Sequence, residues 1–86
     1  MSISYTKHAL ARMAERGISK AEVEATLANP VRRIDVNRGR TESQGFIERQ
    51  GKQQLLRVLS EGQVVVLVIT VIATSKFKSM EYHHED

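Results

Sequence analysis

Apolar residues recur at helical spacing up to Pro30 and at alternate positions beyond it, so the chain reads as two helices followed by a sheet. The first helix is expected from about Thr6 to Arg16, with Thr6 or Ser4 as its cap and Gly17 as a left-handed stop. Ala9, Leu10, Met13 and Ala14 fall on one side of it. His8, Arg12 and Arg16, at i, i+4 and i+8, form a column about 80° wide on the other. The second helix opens on a capping box. In Ser19-Lys20-Ala21-Glu22 the Ser hydroxyl and the Glu carboxylate each satisfy a backbone N–H of the other, and Ile18 can staple onto Val23. Asn29-Pro30 ends this helix, because the residue before proline disfavours the α region. With so short a connection the two helices make a tight αα-hairpin.

After Pro30 the period becomes two. Val31 to Val36 reads as a strand, Asn37 to Ser43 as a polar loop or wide turn, and Gln44 to Gln50 as a second strand. A turn at Gly51-Lys52 leads into a third strand, Gln53 to Ser60, and Glu61-Gly62 turns into a fourth, Gln63 to Thr74. The β-branched run Val64 to Ile72 hardly alternates, which predicts a central strand covered on both faces. The expected class is therefore α+β, an N-terminal αα-hairpin packed on an antiparallel sheet of about four strands. Residues 1–82 make one domain and 83–86 a frayed tail. The helices cover one face of the sheet. The other calls for cover from Ser75 to Tyr82 (with Phe77, Met80 and Tyr82 as the packing residues), from the twist of the sheet, or from a second copy in a homodimer.

Composition narrows the class. A chain of 86 residues buries about 60–65% of its unfolded surface, so the core must be efficient. With no cysteine, neither a disulfide scaffold nor a thiolate metal site is available. The N-terminus lacks a signal-peptide pattern, and the longest apolar run is about half of the ~20 residues a membrane helix needs. A cytoplasmic protein without membrane association is expected. The net charge of +3 is mild, but Arg32, Arg33, Arg38, Arg40, Arg49, Lys52 and Arg57 crowd the middle of the chain, and Glu81, Glu85 and Asp86 offset them at the end.

Chemistry is suggested in three places. The imidazole of His8 suits proton transfer, while Arg12 and Arg16 beside it suit a phosphate clamp. The same column also reads as a solvated helix face, with Arg12 or Arg16 meeting Glu15. Arg38 and Arg40, with Lys52 and Arg57 on neighbouring strands, could follow a nucleic-acid backbone or simply keep the sheet soluble. Thr70 interrupts the most apolar strand, where its hydroxyl either serves a site or bonds a neighbouring backbone group. Only Tyr5 and Phe46 offer rings near these segments, which argues against an aromatic platform for single strands. His83-His84 could bind metal or be part of a disordered end. No Gly-rich phosphate loop, paired-His zinc motif or GxSxG elbow is present, so neither a metal nor a cofactor is expected.

The run His8-Ala9-x-x-Arg12-Met13-x-x-Arg16-Gly17-Ile18-Ser19, with Glu22-Val23, Asn29-Pro30 and Val68-Ile69-Thr70-Val71, resembles a family of small uncharacterised bacterial and phage domains. The resemblance covers about residues 5 to 74. That family looks like a branch of the RelE/BrnT-like ribonuclease-toxin superfamily and is similar to domains at the toxic ends of polymorphic and contact-dependent toxins. The resemblance implies two helices packed on a curved antiparallel sheet. It implies metal-independent RNA cleavage, in which a base deprotonates the ribose 2′-OH, cations stabilise the phosphorane and an acid protonates the leaving 5′ oxygen. His8, Arg12 and Thr70 match the motif and would be catalytic, and Arg16 belongs to it as an RNA contact. Arg38, Arg40, Lys52 and Arg57 are added as RNA contacts from charge and topology. Tyr82 and His83 lie past the last strand and match no motif. RNA and a cognate antitoxin or immunity protein are the implied partners. A non-catalytic interaction or regulatory module on the same scaffold is the alternative.

Overall fold

A computed structural model describes residues 2–75. Strand β1 (Ser2–Tyr5) comes first, followed by α1 (Lys7–Arg16), α2 (Lys20–Ala28), β2 (Arg32–Val36), β3 (Arg40–Arg49), β4 (Lys52–Glu61) and β5 (Val65–Thr74). The five strands form one sheet in the order β1-β5-β4-β3-β2. The class is α+β, as expected, but the sheet has one strand more than the expected four, and that strand precedes the helices. β1 pairs parallel to β5, whereas β2 to β5 pair antiparallel, so the sheet is mixed. Ile3 and Tyr5 alternate with Ser2 and Ser4, a period-two signal too short to stand out in the sequence. The expected packing residues Phe77, Met80 and Tyr82, and the tail at 83–86, lie outside the described residues.

The two helices form where local chemistry predicts them, but they pack on the sheet instead of on each other, α1 against β5 and α2 against β3 and β4. The Thr6 hydroxyl caps α1 by accepting from the Ala9 N–H at 3.0 Å, and Gly17 stops the helix at φ 66°. Ser19 accepts from the Glu22 N–H at 3.1 Å while the Glu22 carboxylate accepts from the Ser19 N–H at 2.9 Å, completing the capping box. Ile18 and Val23 are both buried, as the staple requires. Ala9, Met13, Val23 and Leu27 then pack onto Ile47, Leu56, Val58, Val66, Val68 and Val71 of the sheet in one core.

The missing alternation of β5 has a structural cause. Leu59 pairs with Thr70 but Ser60 pairs with Val68, so Ile69 is an extra residue, a bulge. It shifts the inward parity from Val66 and Val68 to Val71 and Ala73, which lets the whole strand face the helices. Without it Val71 would point away from the core. The N–H of Thr6 donates to the Val68 carbonyl at 3.0 Å and its hydroxyl to the Ile69 carbonyl at 2.8 Å. Thr6 therefore caps α1 and also satisfies the carbonyl of the bulge residue.

β5 is an inner strand between β1 and β4, and among the described residues its second face is open. On the face away from the helices Val65, Leu67 and Ile72 are exposed, as is Phe46 on β3. The loop or wide turn expected at Asn37 to Ser43 is a shorter turn at 37–39, followed by the start of β3 at Arg40. Arg38 and Gly39 both have positive φ, and the Arg40 N–H reaches the Asn37 carbonyl at 3.4 Å. Two clips fix the helices to the sheet. Arg49, at the end of β3, donates to Glu22 Oε2 at 2.6 Å, to Glu22 Oε1, and to the Gly17 carbonyl at 2.7 Å. Further along, Gly45 lets α2 approach β3, since a Cβ there would lie 3.0 Å from Thr26 Oγ1.

Candidate functional site

α1 lies across β5 with Ala9 and Met13 buried beneath it. Its solvent side carries Lys7, His8 and Arg16, all exposed, with Arg12 half-buried between them. No acidic residue sits in the first turn. Arg12 Nη1 stands 3.7 Å from Glu15 Oε1, an i, i+3 pair with side chains 43% and 64% exposed. Such a pair holds its partners weakly. Among the described residues Lys7, His8 and Arg16 have no ion-pair partner. His8, Arg12 and Arg16 therefore do share one flank of α1, open to solvent, while Lys7 lies about 180° round the helix from Arg16.

The sheet arginines are differently placed. Arg57, on the open face of β4, donates to both oxygens of Glu42, at 2.9 and 3.2 Å, and Gln44 donates to the same carboxylate at 2.6 Å. The hydrogen bond from Arg57 is the main reason that Glu42 is held below the usual carboxylate range, and it raises the guanidinium in return. Arg40 meets Glu61 at 3.3 Å. Glu22, held bidentately by Arg49, falls from 4.5 to about 2, the Arg49 hydrogen bond being the largest cause.

The residues singled out in the sequence thus fall into separate groups. His8, Arg12 and Arg16 share α1. Thr70 pairs with Leu59, whose neighbours Val58 and Ser60 are buried on the core side of the sheet, so Thr70 belongs to the opposite face with Arg57. The sheet stands between that face and the α1 column. Arg38 and Arg40 sit at the β2–β3 turn, one end of the sheet, and Lys52 begins β4 at the other. Arg38 holds a φ of 67°, where Gly or Asn would be more comfortable. No group of His, Asp and Glu among the described residues could hold a metal ion. No helix among them is long and apolar enough to cross a membrane.

Residues 5–77 match a domain of unknown function, DUF4258. The chain belongs to this family. Comparison with curated proteins and with solved structures found no match. The DUF4258 match takes in the α1 column, both helices and the sheet from β2 to β5, but leaves out most of β1.

Proposed function

We propose that this DUF4258 domain is an RNA-directed, toxin-like module of RelE/BrnT-like type that engages the phosphate backbone through α1 and cleaves without a metal. One observation carries the reading. Arg49 and Arg57 of the sheet are each held by a part-buried carboxylate, whereas in the α1 column His8 and Arg16 have none among the described residues and Arg12 has only an exposed one. An imidazole and two guanidiniums gathered on one helix flank add little to stability and suit a polyanion. Arg12 and Arg16 would neutralise charge developing on the phosphate, and His8 would move the proton. Thr70 stands across the sheet, so this reading rests on the α1 residues.

Induced expression provides the test. Growth arrest with RNA fragmentation is expected from the native chain and relief from His8→Ala or Arg12→Ala. Harmless expression with intact RNA would overturn catalysis. The second reading is an interaction module, favoured by the exposed Phe46, Leu67 and Ile72 on the open sheet face. In that case His8→Ala would leave both growth and RNA untouched, while a cognate antitoxin or immunity protein, or a second copy, would protect the open face.

A further inference from the structure

The helix-covered face of the sheet changes character along its length. Ile47, Leu56, Val58, Val68 and Val71 make an apolar core under the helices. Towards the β2–β3 turn the same face carries Arg33, Asp35, Thr41, Ser43 and Ser60. Geometry explains the boundary. Helices of nine or ten residues are about 15 Å long, whereas strands of ten span about 33 Å. α2 ends at Ala28 and α1 begins level with Val68, so both leave this end uncovered. The result is a pocket of about 430 Å³ bounded by those five side chains and by Gln63, with Leu27 and Val66 as its apolar walls.

Its lining is unusual for the core side of a sheet. Ser43 is 1% exposed and Ser60 4%, and neither hydroxyl has a hydrogen-bond partner among the described residues. Arg49 Nε is the buried side-chain polar atom left without a partner among the described residues, so both serine hydroxyls open into the pocket, where water or a ligand oxygen can bond them. Arg33 spends one N–H on the Leu27 carbonyl at 2.9 Å, which anchors it at the rim with its other donors available. Asp35 follows two residues later on the same face, about 7 Å along the strand. No ring lines the pocket, so nothing in it would stack a base.

From this arrangement we infer that the pocket is a second binding site, separate from α1, and that it takes a sugar phosphate. The Arg33 guanidinium receives the phosphate, the Asp35 carboxylate accepts from vicinal ribose hydroxyls, and Thr41, Ser43 and Ser60 bond the remaining oxygens. Arg33 and Asp35 stand two residues apart on one face, so a single ligand carrying an anion and a diol can meet both. The volume lies within the ordinary range for small-ligand sites.

Titration of the full chain with ribose 5-phosphate, followed by amide chemical shifts, tests the inference. Saturable shifts at Arg33, Thr41, Ser43, Ser60 and Gln63 are expected. Asp35→Ala should weaken binding about tenfold, as should replacing the ligand by 2-deoxyribose 5-phosphate, each removing a charge-assisted bond. Ser60→Val, which fills the pocket with a group the core accepts, should abolish binding without lowering the melting temperature. Absence of saturable shifts at these amides would overturn the inference. So would binding that survives Ser60→Val, or shifts confined to α1. RNA binding lost in Arg12→Ala while ribose 5-phosphate still binds would separate the two sites.

Discussion

Arg49 and Arg57 on the sheet live in surroundings opposite to those of Arg12 and Arg16 on α1. Arg49 and Arg57 are fixed by two-oxygen contacts to Glu22 and Glu42, and they depress the carboxylates they touch. Arg12 and Arg16 sit in water, one with a loose neighbour and the other with none among the described residues. The same side chain is a structural strut in the first setting and a surface awaiting an anion in the second. Composition cannot separate these roles, because both sets contribute equally to the net charge. What separates them is whether the fold brings a carboxylate within reach.

The largest expected effect falls on the strut between α2 and β3. Arg49→Ala removes charge-assisted bonds to Glu22 and the bond to the Gly17 carbonyl, from side chains about a quarter exposed. After allowance for that exposure the loss is about 2 kcal/mol, or a fall of about 8–16 °C in melting temperature. RNA affinity should not change. An unchanged melting curve would erase the contrast with α1.

Acid titrates the same strut. Glu22 has its folded value depressed to about 2 from 4.5. The stability it contributes is fully present above 4.5 and is lost as pH falls from there towards 2, because the unfolded chain takes up the proton first. Glu42, lowered in the same direction, adds to this slope. Thermal melts at a series of pH values between these limits should show a declining midpoint. Glu22→Gln should flatten the decline and start from a lower midpoint at neutral pH. A slope identical to that of the native chain would place the acid sensitivity elsewhere.

How much of this could be read in advance depended on the range of each interaction. The Ser19–Glu22 box, the Gly17 stop and the Asn29-Pro30 end are local, and the sequence expresses them directly. The Arg49 clip joins residues 27 positions apart, and no pattern at that separation announces it. The start of β3 looked like a loop because Thr41 and Ser43 line a polar pocket, so the strand there lacks the apolar alternation that marks a core-facing strand. In β5 the bulge at Ile69 merged two phases of alternation into one apparent apolar run. That bulge also decides which face Thr70 occupies, and so determines which residues it can help. The α1 column was legible because helical spacing alone defines it.

A smaller effect is expected from the pair on the open face. Arg57→Ala leaves Glu42 with Gln44 as its remaining side-chain donor, and Arg57 is 40% exposed, so the cost should be about 1 kcal/mol. Replacing both partners, as in Arg57→Leu with Glu42→Leu, removes the charges together and should restore stability to within about 1 kcal/mol of the native chain, because no carboxylate is left unpaired. Urea melts of the single and double variants check this. A double variant no better than Arg57→Ala would mean that the pair contributes through packing instead of charge.

The smallest change in stability, and the sharpest test of the comparison, lies at Glu15. Its contact with Arg12 is 3.7 Å long and exposed on both sides, so Glu15→Gln should move the melting temperature by no more than about 2–4 °C, equivalent to about 0.5 kcal/mol. The same substitution removes the one carboxylate that meets the α1 column among the described residues. If α1 contacts phosphate, RNA affinity should therefore rise about two- to threefold at low salt, and the gain should fade as salt screens it. Fluorescence anisotropy with a short single-stranded RNA at two ionic strengths measures both quantities. A strut responds to the loss of its carboxylate by losing stability, whereas an anion-binding surface responds by gaining affinity. If Glu15→Gln instead lowered the melting temperature as far as Arg57→Ala and left RNA affinity where it was, α1 would belong with the sheet, and the distinction between the two sets of arginines would fail.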